Sequence, residues 1–192
     1  LVLSWRDPKH PMSGGAEQVM HEHMKGWVEA GHTVTLFAAA FGGISEENVD
    51  GVHIVRRGRQ ILGVHFEACI WYLFEKHDPF DLVVDQFHGI PFFTPLYCRT
   101  KKLAIVQEVA RNVWMKNHLP FPFNLIFGGV GYVTEPLYYL FYKQVPFLTG
   151  SQSAKDDLIS IGIPAKHITI VPHGVKLSIP KVLPKKEKVT TV

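Results

Sequence analysis

Four short stretches carry the side chains that could do chemistry. Asp7 to Glu17 contains the pair Gly14-Gly15, followed by Ala16 and Glu17, and Asp85-Gln86-Phe87-His88-Gly89 offers a carboxylate and an imidazole. Gln107-Glu108-Val109-Ala110-Arg111-Asn112-Val113-Trp114 adds an amide, a carboxylate and a guanidinium, and Gly150-Ser151-Gln152-Ser153 adds hydroxyls. A glycine pair between a strand and a helix lets backbone approach a ligand closely. It also leaves the unpaired N–H groups and positive dipole end of the helix facing that ligand, which favours anions and phosphates above all. The spacing Gly-Gly-Ala-Glu is not Gly-x-Gly-x-x-Gly, so the dinucleotide fingerprint is absent and a nicotinamide- or flavin-binding domain is a poor reading. His21 and His23, two apart on a helix, point to different faces and cannot chelate one ion well. Neither a metal site, a Gly-x-Ser-x-Gly elbow nor a Cys/His dyad is visible.

Each residue also has a purely structural use. Gly14-Gly15 can simply make a tight strand-to-helix turn. His88 can be a hydrogen-bonded loop residue, and Asp85 a cap or turn residue. Glu108 and Arg111 can pair with each other.

The elements that must position these loops are legible as short apolar runs: Leu1 to Ser4, Thr33 to Ala38, Val52 to Val55, Leu82 to Val84, Leu103 to Val106, Pro146 to Leu148 and Ile168 to Val171. Near-continuous hydrophobicity in such short runs is the pattern of strands buried on both faces. Between the first two, Ala16, Val19, Met20, His23, Met24 and Trp27 follow helical spacing and Gly31 supplies the stop. A later helix is expected from Ser153 to Ile161, opening on Ser153-x-x-Asp156 and closing at Gly162. Strands alternating with helices imply right-handed crossovers and a doubly wound α/β fold, a Rossmann-like parallel sheet of about seven strands. Ligands in such sheets bind outside the carboxyl ends of the strands, where all four stretches fall.

Of the 192 residues 46% are apolar and 19% charged, against the usual quarter for charged residues. Such a chain is driven to collapse and should carry an exposed or partner-covered apolar surface. A formal charge of +3 gives no mandate for nucleic acid, and eleven histidines add pH sensitivity without specifying a site. Cys69 and Cys98 lack metal spacing and are expected to sit reduced and buried in a cytosolic protein without a signal peptide. From Phe121 to Leu148 the chain is rich in Phe, Leu, Ile, Tyr and Val, yet Gly128-Gly129, Glu135-Pro136 and Lys143 break it too often for a membrane span. It reads as a long helix packed on the sheet, with a membrane-facing or lipid-accepting patch as the functional counterpart. Residues 1–180 are expected to form one Rossmann-like domain and 181–192, rich in Lys and Pro, an interdomain linker with the start of a second domain.

Four motifs, in this order, resemble the N-terminal half of family-4 glycosyltransferases of the two-domain GT-B fold. Ser13-Gly14-Gly15-Ala16-Glu17 with Gly31-His32-Thr33-Val34 looks like the opening "GGAE … GHxV", and Asp81-Leu82-Val83-Val84-Asp85 to His88 is similar to the central acceptor-side loop. Ala104 to Trp114 with Glu135-Pro136-Leu137-Tyr138 resembles a subgroup reading "HQLAREVW … EPLY". Gly150 to Lys155 with Val171-Pro172-His173-Gly174-Val175 resembles "SxSxKxxL … VPNGVD". The resemblance implies the acceptor-side domain of a retaining transferase that moves a sugar from a nucleotide-sugar, its co-substrate, to a glycan or lipid-linked acceptor, with no metal required. Its partner would be the donor-binding C-terminal domain of the same protein, without which these residues alone should be inactive. The expected setting is cytoplasmic, with peripheral contact at the inner face of the membrane. His88, Gln107 and Glu108 are the implied catalytic residues, and Gly14, Gly15, Glu17, Arg111 and Ser151 the implied substrate- or donor-diphosphate-binding ones. One departure stands out: the subgroup's His-Gln is Gln107-Glu108 here, so an imidazole is missing. A non-catalytic module gripping a glycan or lipid-linked sugar is the alternative reading.

Overall fold

The computed structural model describes residues 1–174. The expected linker at 181–192 lies outside the described residues. Eight strands form one sheet: β1 Val2–Leu3, β2 Thr35–Ala38, β3 Glu46–Val49, β4 Val52–Arg56, β5 Leu82–Phe87, β6 Lys101–Val106, β7 Phe147–Thr149 and β8 Ile168–Ile170. Their order is β3-β4-β2-β1-β5-β6-β7-β8, and every neighbouring pair is parallel except β3 with β4. The helices are α1 Gly15–Glu29, α2 Leu62–Phe74, α3 Thr94–Tyr97, α4 Phe123–Leu140 and α5 Gln152–Ser160, with 3-10 helices at Arg111–Lys116 and Ala165–His167.

All seven apolar runs are strands. An eighth strand, β3, joins the seven at the sheet edge. Its Glu46-Glu47-Asn48-Val49 alternates exposed and half-buried positions, as an edge strand does, and Asp50-Gly51, both at positive φ, turn the chain back into β4.

Side-chain alternation in β5 sorts the core into two layers. Val83 packs with Val64, Ala68 and Trp71 of α2. Phe87 shares that face with Tyr139, Tyr142, Phe147 and Leu158, so the C-terminal end of α4 and α5 lie there too. Val84 faces the other way, with Met20 and Met24 of α1 and Ile105 of β6. α1 also buries Glu17 and His21, two polar positions outside the expected apolar stripe. His21 Nε2 lies 2.9 Å from Asp50 Oδ2. The later helix starts one residue before the expected Ser153: Ser151 is its N-cap, and its Oγ accepts from the Ala154 N–H at 3.2 Å. Both cysteines are free; Cys98 is buried but Cys69 only half so.

Candidate functional site

β1, β5, β6 and β7 are consecutive and parallel, so the loops that leave their carboxyl ends line one edge of the sheet. At about 4.8 Å per strand, the four loops span roughly 15 Å. The first is held from below by a buried ion pair. Arg56 of β4 donates from Nε and Nη2 to Asp7 Oδ2 and Oδ1 at 2.7 and 3.2 Å, and also engages Glu47 of β3. Asp7 in turn accepts from the Lys9 N–H at 2.8 Å. A bidentate pair of this kind fixes orientation as well as distance, so the edge hairpin β3–β4 anchors the loop that delivers the glycines.

Gly14 is the N-cap of α1, and its N–H donates to Glu17 Oε2 at 2.6 Å. That bond uses the buried carboxylate to hold the helix start. The amides of Gly15, Ala16 and Glu17 come next and have no acceptor within the helix. A Cβ on Gly15 would meet nothing within 4 Å. The backbone there faces open space, so a tight turn is not what calls for glycine at this position.

His88 follows β5 and sits against this loop. Its Nε2 lies 3.9 Å from Glu17 Oε1, and Arg6 Nη1 approaches the same oxygen at 3.8 Å. The ring stacks on Trp5 with centroids 5.7 Å apart, and Nε2 is buried without a hydrogen-bond partner. Burial pushes the imidazole down to about 4, with Glu17 opposing the shift and Arg6 and His65 adding to it. His88 is therefore neutral at pH 7. It can donate or accept a hydrogen bond to a hydroxyl, but it is not a reservoir of acid protons.

Asp85 faces away from this cluster. Buried in β5, it accepts from the N–H of Phe92 at 3.0 Å, from the N–H and Oγ1 of Thr94 at 3.4 and 3.0 Å, and from the Tyr142 hydroxyl. Burial raises its carboxyl above the usual range against those four donors. It ties the loop after β5 to α3 and to the turn that follows α4.

Gln107 follows β6, one strand along from β5. Its Oε1 accepts from His173 Nε2 at 2.5 Å, and the pair borders a small cleft with His23 and Gly150. Glu108 is exposed, and among the described residues no ion pair joins it to Arg111. Arg111 opens the 3-10 helix at φ +27°, a conformation that needs outside support. Glu135 of α4 supplies it. The buried carboxylate accepts from the N–H groups of Ala110 and Arg111 at 2.8 and 2.6 Å and from Trp114 Nε1 at 3.1 Å. Two separate sequence motifs, Ala110-Arg111-Asn112-Val113-Trp114 and Glu135-Pro136-Leu137-Tyr138, thus form one structural unit. Gly14, Gly15, Glu17 and His88 come together, while Gln107 pairs with His173, Arg111 is set by Glu135, and the Ser151 oxygen is occupied in capping α5.

A sequence model of Glycosyltransferase Family 4 matches residues 13–179, from the glycine pair through β8. The chain belongs to Glycosyltransferase Family 4. No curated protein matches the chain.

In this family-4 glycosyltransferase domain, sequence reasoning missed three groups at the strand edge. Arg6 donates from Nη1 to Met12 O at 2.7 Å and lies 5.5 Å over the Trp5 ring, beside the free amides of α1. A cation just ahead of a glycine pair was the available signal. Glu135 was visible as part of a motif without a role. His173 stands where the resembling motif has asparagine, and it bonds the residue that replaces the motif's histidine. Among the described residues no cluster of three His, Cys, Asp or Glu side chains could hold a metal ion.

Proposed function

We propose that this domain is the acceptor-side half of a retaining transferase that takes a sugar from a nucleotide-sugar and delivers it to a glycan or lipid-linked acceptor. The observation that carries the reading is the start of α1. The first N–H groups of the helix have no acceptor within it, a Cβ on Gly15 would meet nothing within 4 Å, Arg6 adds a cation, and neutral His88 holds an unpartnered Nε2 beside Glu17. A leaving diphosphate gains negative charge as the glycosidic bond breaks. Fixed backbone donors at a helix start stabilise that charge without reorganising, and with a guanidinium nearby the reaction needs no metal.

His88 orients a sugar hydroxyl by hydrogen bonding. At the other end of the edge the Gln107–His173 pair presents an imidazole in place of the motif's histidine, and Glu108 and Arg111 face the acceptor. The C-terminal domain of the same protein supplies the nucleotide pocket, and the reaction takes place on the cytoplasmic side. The test is to mix the intact protein with UDP-, GDP- and ADP-sugars, with and without lipid-linked and glycan acceptors, and to follow nucleoside diphosphate release. Release from one donor, stimulated by one acceptor, is the expected result. No release from any donor by the folded protein with every acceptor class would overturn the reading in favour of a non-catalytic binding module.

A further inference from the structure

Among the described residues no helix is long and apolar enough to cross a membrane. α4 nevertheless wears a stripe that water does not favour. Ile126, Val130, Val133, Leu137 and Leu140 fall at steps of four and three along one face, with Phe127 beside them, and each is between 50 and 66% exposed. The opposite face is spent on packing: Gly128 and Gly131 make room for Trp114, Glu135 holds the 3-10 helix, and Tyr139 enters the core. An uninterrupted apolar row of this length on one element marks a surface that something covers.

The charges around the stripe say what kind of surface. From residue 109 to residue 150 the chain carries one carboxylate, Glu135, and it is buried. The cations of the same stretch, Arg111 and Lys116 on the 3-10 helix and Lys143 just past the end of α4, are all exposed. Within residues 109–150 the apolar side chains are framed by exposed cations and no exposed carboxylate, exposed Glu108 lying just before the stretch, and that balance complements an anionic lipid surface. The same four-and-three spacing would suit a partner helix, but such seams fix register with oppositely charged residues alongside. Here the neighbours are Gly129, Thr134, Pro136 and Phe141.

We infer that the exposed face of α4, with the basic 3-10 helix beside it, lies in the interface of an anionic membrane and holds the domain there in-plane. Lipid binding needs neither donor nor acceptor sugar, so it fails or succeeds separately from transfer. The test is co-sedimentation of the 192-residue chain with vesicles of phosphatidylcholine alone and with 30% phosphatidylglycerol. Binding to the anionic vesicles is expected, weakened by salt. The double variant Ile126→Glu/Val133→Glu, at exposed positions, should bind at least tenfold less while keeping the wild-type circular dichroism. If that variant misfolds, Lys116→Glu/Lys143→Glu carries the test and should lower binding severalfold at low salt. Failure of the folded wild type to bind anionic vesicles, or unchanged binding by the folded variants, would overturn the inference. So would a wild type that leaves vesicles alone but forms a dimer, by light scattering, that the glutamate variant dissociates.

Discussion

Removing the Glu135 carboxylate should cost stability out of proportion to one side chain, because three donors depend on it. Ala110 N–H, Arg111 N–H and Trp114 Nε1 all point at a residue that is 1% exposed. Bonds to a buried charge are worth about 1.5–3 kcal/mol each, and a donor left buried and unpaired costs about 1–3 kcal/mol. Ala110 is half-buried and Arg111 exposed, so water can reach part of the gap, and relaxation of the Arg111 backbone returns some strain. For Glu135→Ala the balance is about 3 kcal/mol. For Glu135→Gln, which keeps one acceptor, it is about 1.5 kcal/mol. With a urea slope of about 2 kcal/mol per molar, the midpoint should fall by roughly 1.5 M and 0.7 M respectively. Hydrogen exchange gives the local readout, since the amides of Ala110 and Arg111 should lose protection first. A Glu135→Ala midpoint within about 0.2 M of wild type, at an unchanged slope, would refute the reasoning.

Two further outcomes follow from the same geometry. Because His88 has a folded pKa of about 4, against about 6.5 when unfolded, the fold refuses a proton that the unfolded chain accepts. This group makes no difference above pH 6.5, and stability is lost as pH falls from 6.5 toward 4, reaching about 3 kcal/mol. Denaturation curves of wild type and His88→Gln should therefore diverge across that window, and parallel curves would contradict a buried neutral imidazole. Gly131→Ala should destabilise the domain by about 1–3 kcal/mol, because a Cβ there would collide with the Trp114 ring. A thermal midpoint equal to wild type would show that Trp114 has room to move.

Strands buried on both faces announce themselves by composition alone, which is why all seven apolar runs were found. β3 escaped because an edge strand buries little and carries Glu46 and Glu47, although Asp50-Gly51 was a readable hairpin signal. At the site, local chemistry was legible and distance was not. The glycine pair and His88 were visible as donors, but nothing in the chain order says that Glu17, which reaches back three residues to Gly14, also lies beside His88. Nor does it say that Asp7 is held from a strand some fifty residues on, or that Gln107 meets His173. Those pairings are set by strand order, which single-sequence periodicity does not encode. The apolar stretch around α4 shows the converse. Its composition was plain, but only the fold reveals that Gly128 and Gly131 face inward and the bulky residues outward.

The central claim is that the start of α1 receives the departing diphosphate, and two glycines of one helix test it most directly. A Cβ at Gly15 or at Gly26 meets nothing within 4 Å, but only Gly15 stands at the loop. In the intact protein, nucleoside diphosphate release should fall on the order of 100-fold for Gly15→Trp and stay near wild type for Gly26→Trp, with both variants folded. Wild-type turnover by a folded Gly15→Trp would contradict the account.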